Sequence, residues 1–327
     1  MKSRRMIALL IAIVLIVVSI GVRITTSIAS GVFDELLKFD EFYMNENVLR
    51  DGSLTEKIVV ITLDGAIMSE ENIFISDGYN HEVFLNQLQQ AFSNDTVDAI
   101  VLHVNSPGGA VYETAEIHQL IVESKEMYDK PIYVSMGSMA ASGGYYVAAP
   151  ADKIYAHSST LTGSIGVIME SINYAELAEN QGVKWNTSTS GKHKDIMSPN
   201  RDMTKEEEKI LQSMIDEMYD EFVNVIVEGR GLDEDTVRKI GDGRIYTGKQ
   251  AKEVDLVDEV GTLDDTIDGL IEDYGFDNPT VVEYTAELGF FDLFAPGIQS
   301  FFNQKSDFEW IRTLLTESDQ PRALYMD

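Results

Sequence analysis

The sequence predicts an α/β protein with a largely parallel sheet, and three observations carry that expectation. Compact aliphatic runs such as residues 58–63 (IVVITL) and 97–104 (VDAIVLHV) read as buried strands. Segments with apolar residues at helical spacing alternate with them, as in residues 81–92, where Val83, Phe84, Leu88, Ala91 and Phe92 share a face. Turns that no strand can continue through close the runs, most clearly Asn105-Ser106-Pro107-Gly108-Gly109. Alternation of strand and helix of this kind points to a parallel sheet with helices packed on it.

The remaining elements follow the same logic. Residues 113–127 read as a helix and 131–136 as a strand. Small residues from Gly137 to Gly144 lead into a helix at 145–149, and 153–156 is a further strand. After Thr162-Gly163-Ser164 the pattern predicts a strand at 165–169, a helix at 173–181 and a strand at 184–189. A long amphipathic helix starts after Thr204, with Thr204 and Glu207 spaced as a capping box. Its apolar positions Ile210, Leu211, Met214, Ile215, Met218, Phe222 and Ile226 recur at helical spacing.

The N-terminus has a different character. Lys2, Arg4 and Arg5 precede an apolar run over residues 6–22, broken only by Ser19 and Gly21. These 17 residues approach the length that crosses the roughly 30 Å hydrocarbon core as a helix. A cleaved signal with Ser27-Ile28-Ala29 as its weak processing site is the alternative. The basic start keeps residues 1–5 in the cytoplasm and sends the rest across. Residues 23–52 read as a stalk, 53–285 as the main domain, and 286–327 as an aromatic-rich segment and polar tail, with five Phe in residues 288–302.

Composition excludes several chemistries. The 327-residue chain has no cysteine, which removes disulfide frameworks, thiolate metal sites and cysteine nucleophiles. A formal net charge of −30 argues against nucleic acid as a partner, because phosphate binding needs clustered Lys and Arg.

Chemistry is concentrated in three places. The turn 105–109 ends in Gly-Gly and leaves backbone N–H groups uncovered, as an oxyanion hole requires, although Pro-Gly also makes ordinary turns. Ser142, in Met139-Ala140-Ala141-Ser142-Gly143-Gly144, sits where a helix begins, so the N–H of Gly143 and the macrodipole favour a developing negative charge there. A serine in that place also serves as a plain helix cap. Activation of such a serine needs a base, and none of the five histidines carries a local signature. Lys194, in Gly191-Lys192-His193-Lys194-Asp195, would serve if desolvated enough to be neutral. Taken alone, that stretch reads as a solvated basic loop.

In order along the chain, Asn105–Gly109, Ala141-Ser142-Gly143-Gly144-Tyr145-Tyr146, Leu161-Thr162-Gly163-Ser164-Ile165-Gly166, Gly191–Asp195 and Gly243-Arg244-Ile245-Tyr246-Thr247-Gly248 with Ala251 and Leu256-Val257-Asp258 resemble the bacterial signal peptide peptidase A family. The resemblance spans about residues 57–270. It implies the spiral fold of ββα units shared with Clp protease and crotonase enzymes, preceded by one N-terminal transmembrane helix. It further implies a Ser–Lys dyad with Ser142 as nucleophile and Lys194 as base, Ser164 orienting the lysine amine, and Gly109 with Gly143 as the oxyanion hole, Gly108 being the substitute. No cofactor or metal is implied. The expected partners are cleaved signal peptides, a membrane and further copies of the chain. His193 stands where the family commonly has Tyr, and Asp255 where Gly is usual, a turn that Asp tolerates in the left-handed region. A membrane-anchored scaffold of this fold without turnover, and an acyl-CoA enzyme of the crotonase type, are the alternatives.

Overall fold

The computed structural model describes residues 44–69, 79–286 and 324–325. Its central strands are β2 (Ser53–Asp64) and β3 (Ala99–Ser106), parallel to each other in register from Ile58↔Ala99 to Asp64↔Asn105. Their aliphatic runs are unbroken because both sheet faces are covered. Val59, Ile61, Leu63, Ile100 and Leu102 pack with α1 (His81–Ser93) and α2 (Val111–Tyr128), while Ile58, Val60, Ala99 and Val101 pack with α8 (Leu263–Tyr274).

The sheet runs β1 (Met44–Arg50), β10 (Pro279–Ala286), β2, β3, β5 (Ile132–Ala141), β6 (Lys153–Ala156), β9 (Glu259–Val260). Along this order only β1 against β10 is antiparallel. The far half of β5 pairs with β7 (Leu161–Gly163), on which β8 (Ile245–Thr247) lies antiparallel. This mixed α/β architecture with a mainly parallel sheet is the one that the sequence predicts.

Between those halves β5 bulges. Val104 faces Met136, but Ser106 faces Ala140, so Asn105 stands opposite three residues. The Asn105 side chain spans the gap: its Oδ1 accepts from Ser138 Oγ (3.0 Å) and the Met139 N–H (3.2 Å), and its amide donates to Asp64 Oδ1 (2.7 Å). From the other side Thr160 Oγ1 donates to the Gly137 carbonyl and Thr162 Oγ1 to that of Ala140, both at 2.6 Å.

β5 leads into α3 (Gly143–Ala148), a wholly buried helix. Tyr145 Oη donates to the Leu256 carbonyl at 2.8 Å. Tyr146 is held edge-on between His118 of α2 (centroids 5.1 Å apart) and Phe222 of α5, Lys205–Arg230 (5.0 Å). The spacing of Thr204 and Glu207 gives the expected capping box at the head of α5, and Asp255 adopts φ 60° as its turn requires.

Four local expectations are corrected. Residues 44–50, expected within the stalk, form β1; as an edge strand with one exposed face, MNENVLR carries no hydrophobic run to betray it. Residues 165–169 are not a strand, because Ser164 turns at φ 50° and the pairing ends at Gly163. Residues 184–189 are exposed throughout and unpaired, and the helix expected over 173–181 is short, α4 (Ala175–Asn180). No helix among the described residues is long and apolar enough to cross a membrane; the anchor expected at 6–22 and the Phe-rich stretch 288–302 lie outside those residues.

Burial lowers the His118 pKa from 6.5 to about 4. Folding therefore disfavours its protonated form, and the penalty grows as pH falls below the unfolded value and is complete below the folded one. A displacement of that size is worth about 3 kcal/mol. Urea unfolding at pH 7 and pH 4.5, in wild type and His118→Leu, is expected to show this acid-sensitive component in the wild type only.

Candidate active site

Ser142 lies where β5 ends and α3 begins, at φ 52°, ψ −119°. These are the torsions of the first corner of a type II′ turn, a conformation that glycine normally takes. The backbone around it leaves no slack. Its N–H donates to the Gly163 carbonyl at 2.8 Å, and its own carbonyl accepts from the N–H groups of Tyr145 and Tyr146, both at 3.0 Å. The residue is 1% exposed, and its Oγ is buried with no hydrogen-bond partner among the described residues. A strained backbone and an unsatisfied buried hydroxyl both cost stability, so their coincidence points to a function outside stability.

Facing Ser142 is a wall of glycine backbone. β4 (Gly109–Ala110) follows the 105–109 turn, in which Gly108 adopts φ 103°. It is tied to the segment after β2: the Ile67 N–H donates to the Gly108 carbonyl at 2.9 Å, and the Ala110 N–H to the Ile67 carbonyl at 2.8 Å. A Cβ added to Gly143 would lie 3.2 Å from the Gly109 nitrogen, so the first helical residue of α3 and β4 are in direct contact. A Cβ on Gly109 would come within 2.0 Å of the Ile67 carbonyl oxygen, a backbone clash that excludes any side chain there. The N–H of Gly143, at the first position of the helix, has no intrahelical acceptor. On its other side β4 pairs antiparallel with β11 (Leu324–Tyr325), in register Leu324↔Ala110 and Tyr325↔Gly109.

Ser164 joins this group through the backbone. It follows Gly163, the acceptor of the Ser142 N–H, is 6% exposed, and donates its own N–H to the Arg244 carbonyl at 2.8 Å. The structure thus brings Ser142, Gly143, Gly109 and Ser164 together. Lys194 is not with them: it occupies an exposed turn and makes no hydrogen bond to Ser142. His193 beside it stands between Glu206 (3.4 Å) and Glu207 (3.6 Å). In the segment before this turn Ile168, Ile172, Leu177, Val183 and Trp185 are exposed. Sequence reasoning took Asn105 and Thr162 only as parts of motifs or turns and did not single out Thr160, whose role is set by its bond to the Gly137 carbonyl across the bulge. Among the described residues no cluster of three or more His, Asp or Glu is placed to hold a metal ion.

A strained, buried serine beside close-packed glycine backbone on an α/β sheet is an arrangement suited to acyl transfer through a serine. Residues 124–276 match Peptidase family S49 and residues 55–162 match Clp protease, and Ser142 falls within both matches. The chain is 43% identical over 243 residues to a putative signal peptide peptidase SppA of Enterococcus faecium, covering 74% of this chain and 70% of that one. It is 40% identical over 236 residues to a putative protease of Methanocaldococcus jannaschii (71% and 75% covered). It is 31% identical over 235 residues to Protease 4 of Haemophilus influenzae (71% and 37% covered). The chain belongs to peptidase family S49 and is a serine peptidase.

Removing the unsatisfied hydroxyl has a predictable sign. Ser142→Ala is expected to raise stability by about 1–3 kcal/mol, the cost of a buried polar group without a partner, in equilibrium urea unfolding.

Proposed function

We propose that the protein is an endopeptidase held in a membrane by residues 6–22, with its catalytic domain outside the cytoplasm, that hydrolyses residual signal peptides and other membrane-associated peptides by a Ser142–Lys194 dyad. The observation that carries this reading is the Ser142 hydroxyl, buried and unpaired beside the backbone of Gly109 and Gly143. The name of the Enterococcus faecium relative supports the substrate class.

An extended substrate adds a strand to β4, in the manner that β11 already does. Ser142 Oγ attacks the scissile carbonyl carbon and Lys194, neutral, takes the hydroxyl proton. The carbonyl oxygen, now negative, is stabilised by the N–H groups of Gly109 and Gly143. As the C–N bond breaks, Lys194 returns that proton to the leaving amine. Water then attacks the acyl-enzyme with Lys194 again as base, and Ser142 is regenerated. Ser164 holds the lysine amine toward Ser142. No cofactor or metal takes part.

Lys194 has to be brought to Ser142. The exposed apolar residues in the segment before its turn favour delivery through contact between copies, so the working enzyme is a homo-oligomer. Sedimentation of the detergent-solubilised chain as a monomer at micromolar concentration would overturn this.

Ser142→Ala and Lys194→Met are both expected to abolish peptide hydrolysis while remaining folded, and an active-site-directed phosphonate should label Ser142. An active Lys194→Met protein removes the dyad. Because β11 occupies the strand position that a substrate needs, truncation after Ala323 is expected to lower KM with kcat little changed. Gly109→Ala forces β4 away from Ile67 and is expected to reduce kcat more than it raises KM.

A further inference from the structure

The turn that carries Lys194 has little to fix it by itself. Its internal hydrogen bonds are Lys194 N–H to the Gly191 carbonyl (3.2 Å), Ile196 N–H to that of His193 (3.2 Å) and Ser198 N–H to that of Asp195 (3.0 Å). The residues before it, 182–192, are all exposed, so packing does not hold it either.

A single guanidinium supplies what is missing. Arg201 grips Asp195, the residue after Lys194, with Nε to Oδ2 and Nη2 to Oδ1, both at 2.9 Å, and Nη2 also reaches the Asp195 carbonyl at 3.2 Å. With its other edge it grips Glu207, Nη1 to Oε2 at 2.8 Å and Nη2 to Oε1 at 2.6 Å, while Nη1 donates to the Asp202 carbonyl at 3.0 Å. Glu207 is a rigid anchor. Its side chain is 2% exposed, it belongs to the first turn of the 26-residue α5, and Thr204 donates to it from N–H (2.9 Å) and Oγ1 (3.0 Å).

We propose that Arg201 is the positioning residue of the general base, fixing the backbone of Lys194 to the N-terminus of α5 through Asp195 and Glu207. The proposal rests on the reading of Lys194 as the base. Such ion pairs add little stability where solvent screens them. What they supply is geometry, because a planar guanidinium engages two carboxylates at once in fixed directions and an ammonium does not.

Arg201 has an electrostatic consequence as well. The charged groups around the turn are Lys192, His193, Asp195, Arg201, Glu206 and Glu207; Glu206 is engaged by Lys192 and His193, and Asp195 and Glu207 by Arg201. Hydrogen bonds from Arg201 hold the Asp195 and Glu207 carboxyls below the usual carboxylate range. Without the guanidinium, both carboxylates would lose this partner and the turn its tie to α5.

The test measures kcat and KM of peptide hydrolysis by the full chain in detergent. Arg201→Met is expected to lower kcat on the order of 10- to 100-fold with KM nearly unchanged. Arg201→Lys keeps the charge without the double fork, so it should recover kcat only in part. Asp195→Asn should likewise lower kcat with KM nearly unchanged. Should Arg201→Met unfold by circular dichroism, Arg201→Lys decides, since unaltered kcat there refutes the geometric role. Wild-type kcat in folded Arg201→Met, with Lys194→Met inactive, overturns the proposal and leaves the dyad standing. An active Lys194→Met protein overturns both.

Discussion

β5 cannot keep both neighbours of its first half once it passes Met136. Up to that residue it lies between β3 and β6; beyond it β5 runs with β7, and its register against β3 has slipped. The bulge turns the strand end toward the 105–109 turn, so that the peptide following Ala141 enters α3 against the backbone of Gly108 and Gly109. The break would be expensive if its polar groups went unpaired, since buried backbone donors and acceptors need partners. Asn105, Thr160 and Thr162 provide them with side chains, and in doing so tie β3, β5 and β7 into one rigid unit around Ser142.

Close packing of main chain against main chain is what this unit purchases. Gly109 against Ile67, Gly143 against Gly109 and Gly144 against the Ser106 carbonyl (a Cβ would lie 2.8 Å away) are contacts that no side chain could enter. They place N–H groups next to the serine with no side chain between. They also explain why Ser142 tolerates its torsions: its N–H and carbonyl are fixed by Gly163, Tyr145 and Tyr146, so relaxing φ would break bonds on both sides. The strain is held by the surroundings, and the hydroxyl is left as the group with nothing to bond.

Much of this architecture is legible in the sequence where the cause is local. Residues 58–63 read correctly as a strand because burial on both faces selects an aliphatic run, and the Thr204–Glu207 spacing announces the head of α5 because a capping box is a local device. What fails is what depends on distant pairing. β1 gains its strand identity from β10, more than two hundred residues away, and its sequence is polar. Residues 184–189 have the composition of a strand but no neighbour to pair with, and 165–169 follow a left-handed serine that ends the ladder. At the site, Gly109, Gly143 and Ser142 are visible because backbone exposure demands small residues. The support from Asn105, and the clamp of Arg201 on Asp195 and Glu207, are invisible because their partners are set by the fold.

The site has two halves with different physics. The nucleophile and the glycine wall are part of the core, positioned by close-packed backbone with no freedom to adjust. The lysine turn is exposed and positioned by charge-assisted hydrogen bonds to the end of one helix, which water can screen and compete with. In the proposed dyad the rigid half sets where the substrate carbonyl sits, and the exposed half decides whether the serine is activated. A proton acceptor on such a turn is sensitive to whatever covers it. In the proposed dyad, excluding water from that turn would strengthen the ion pairs of Arg201 with Asp195 and Glu207, so whatever covers the turn would also tighten the hold on the lysine backbone.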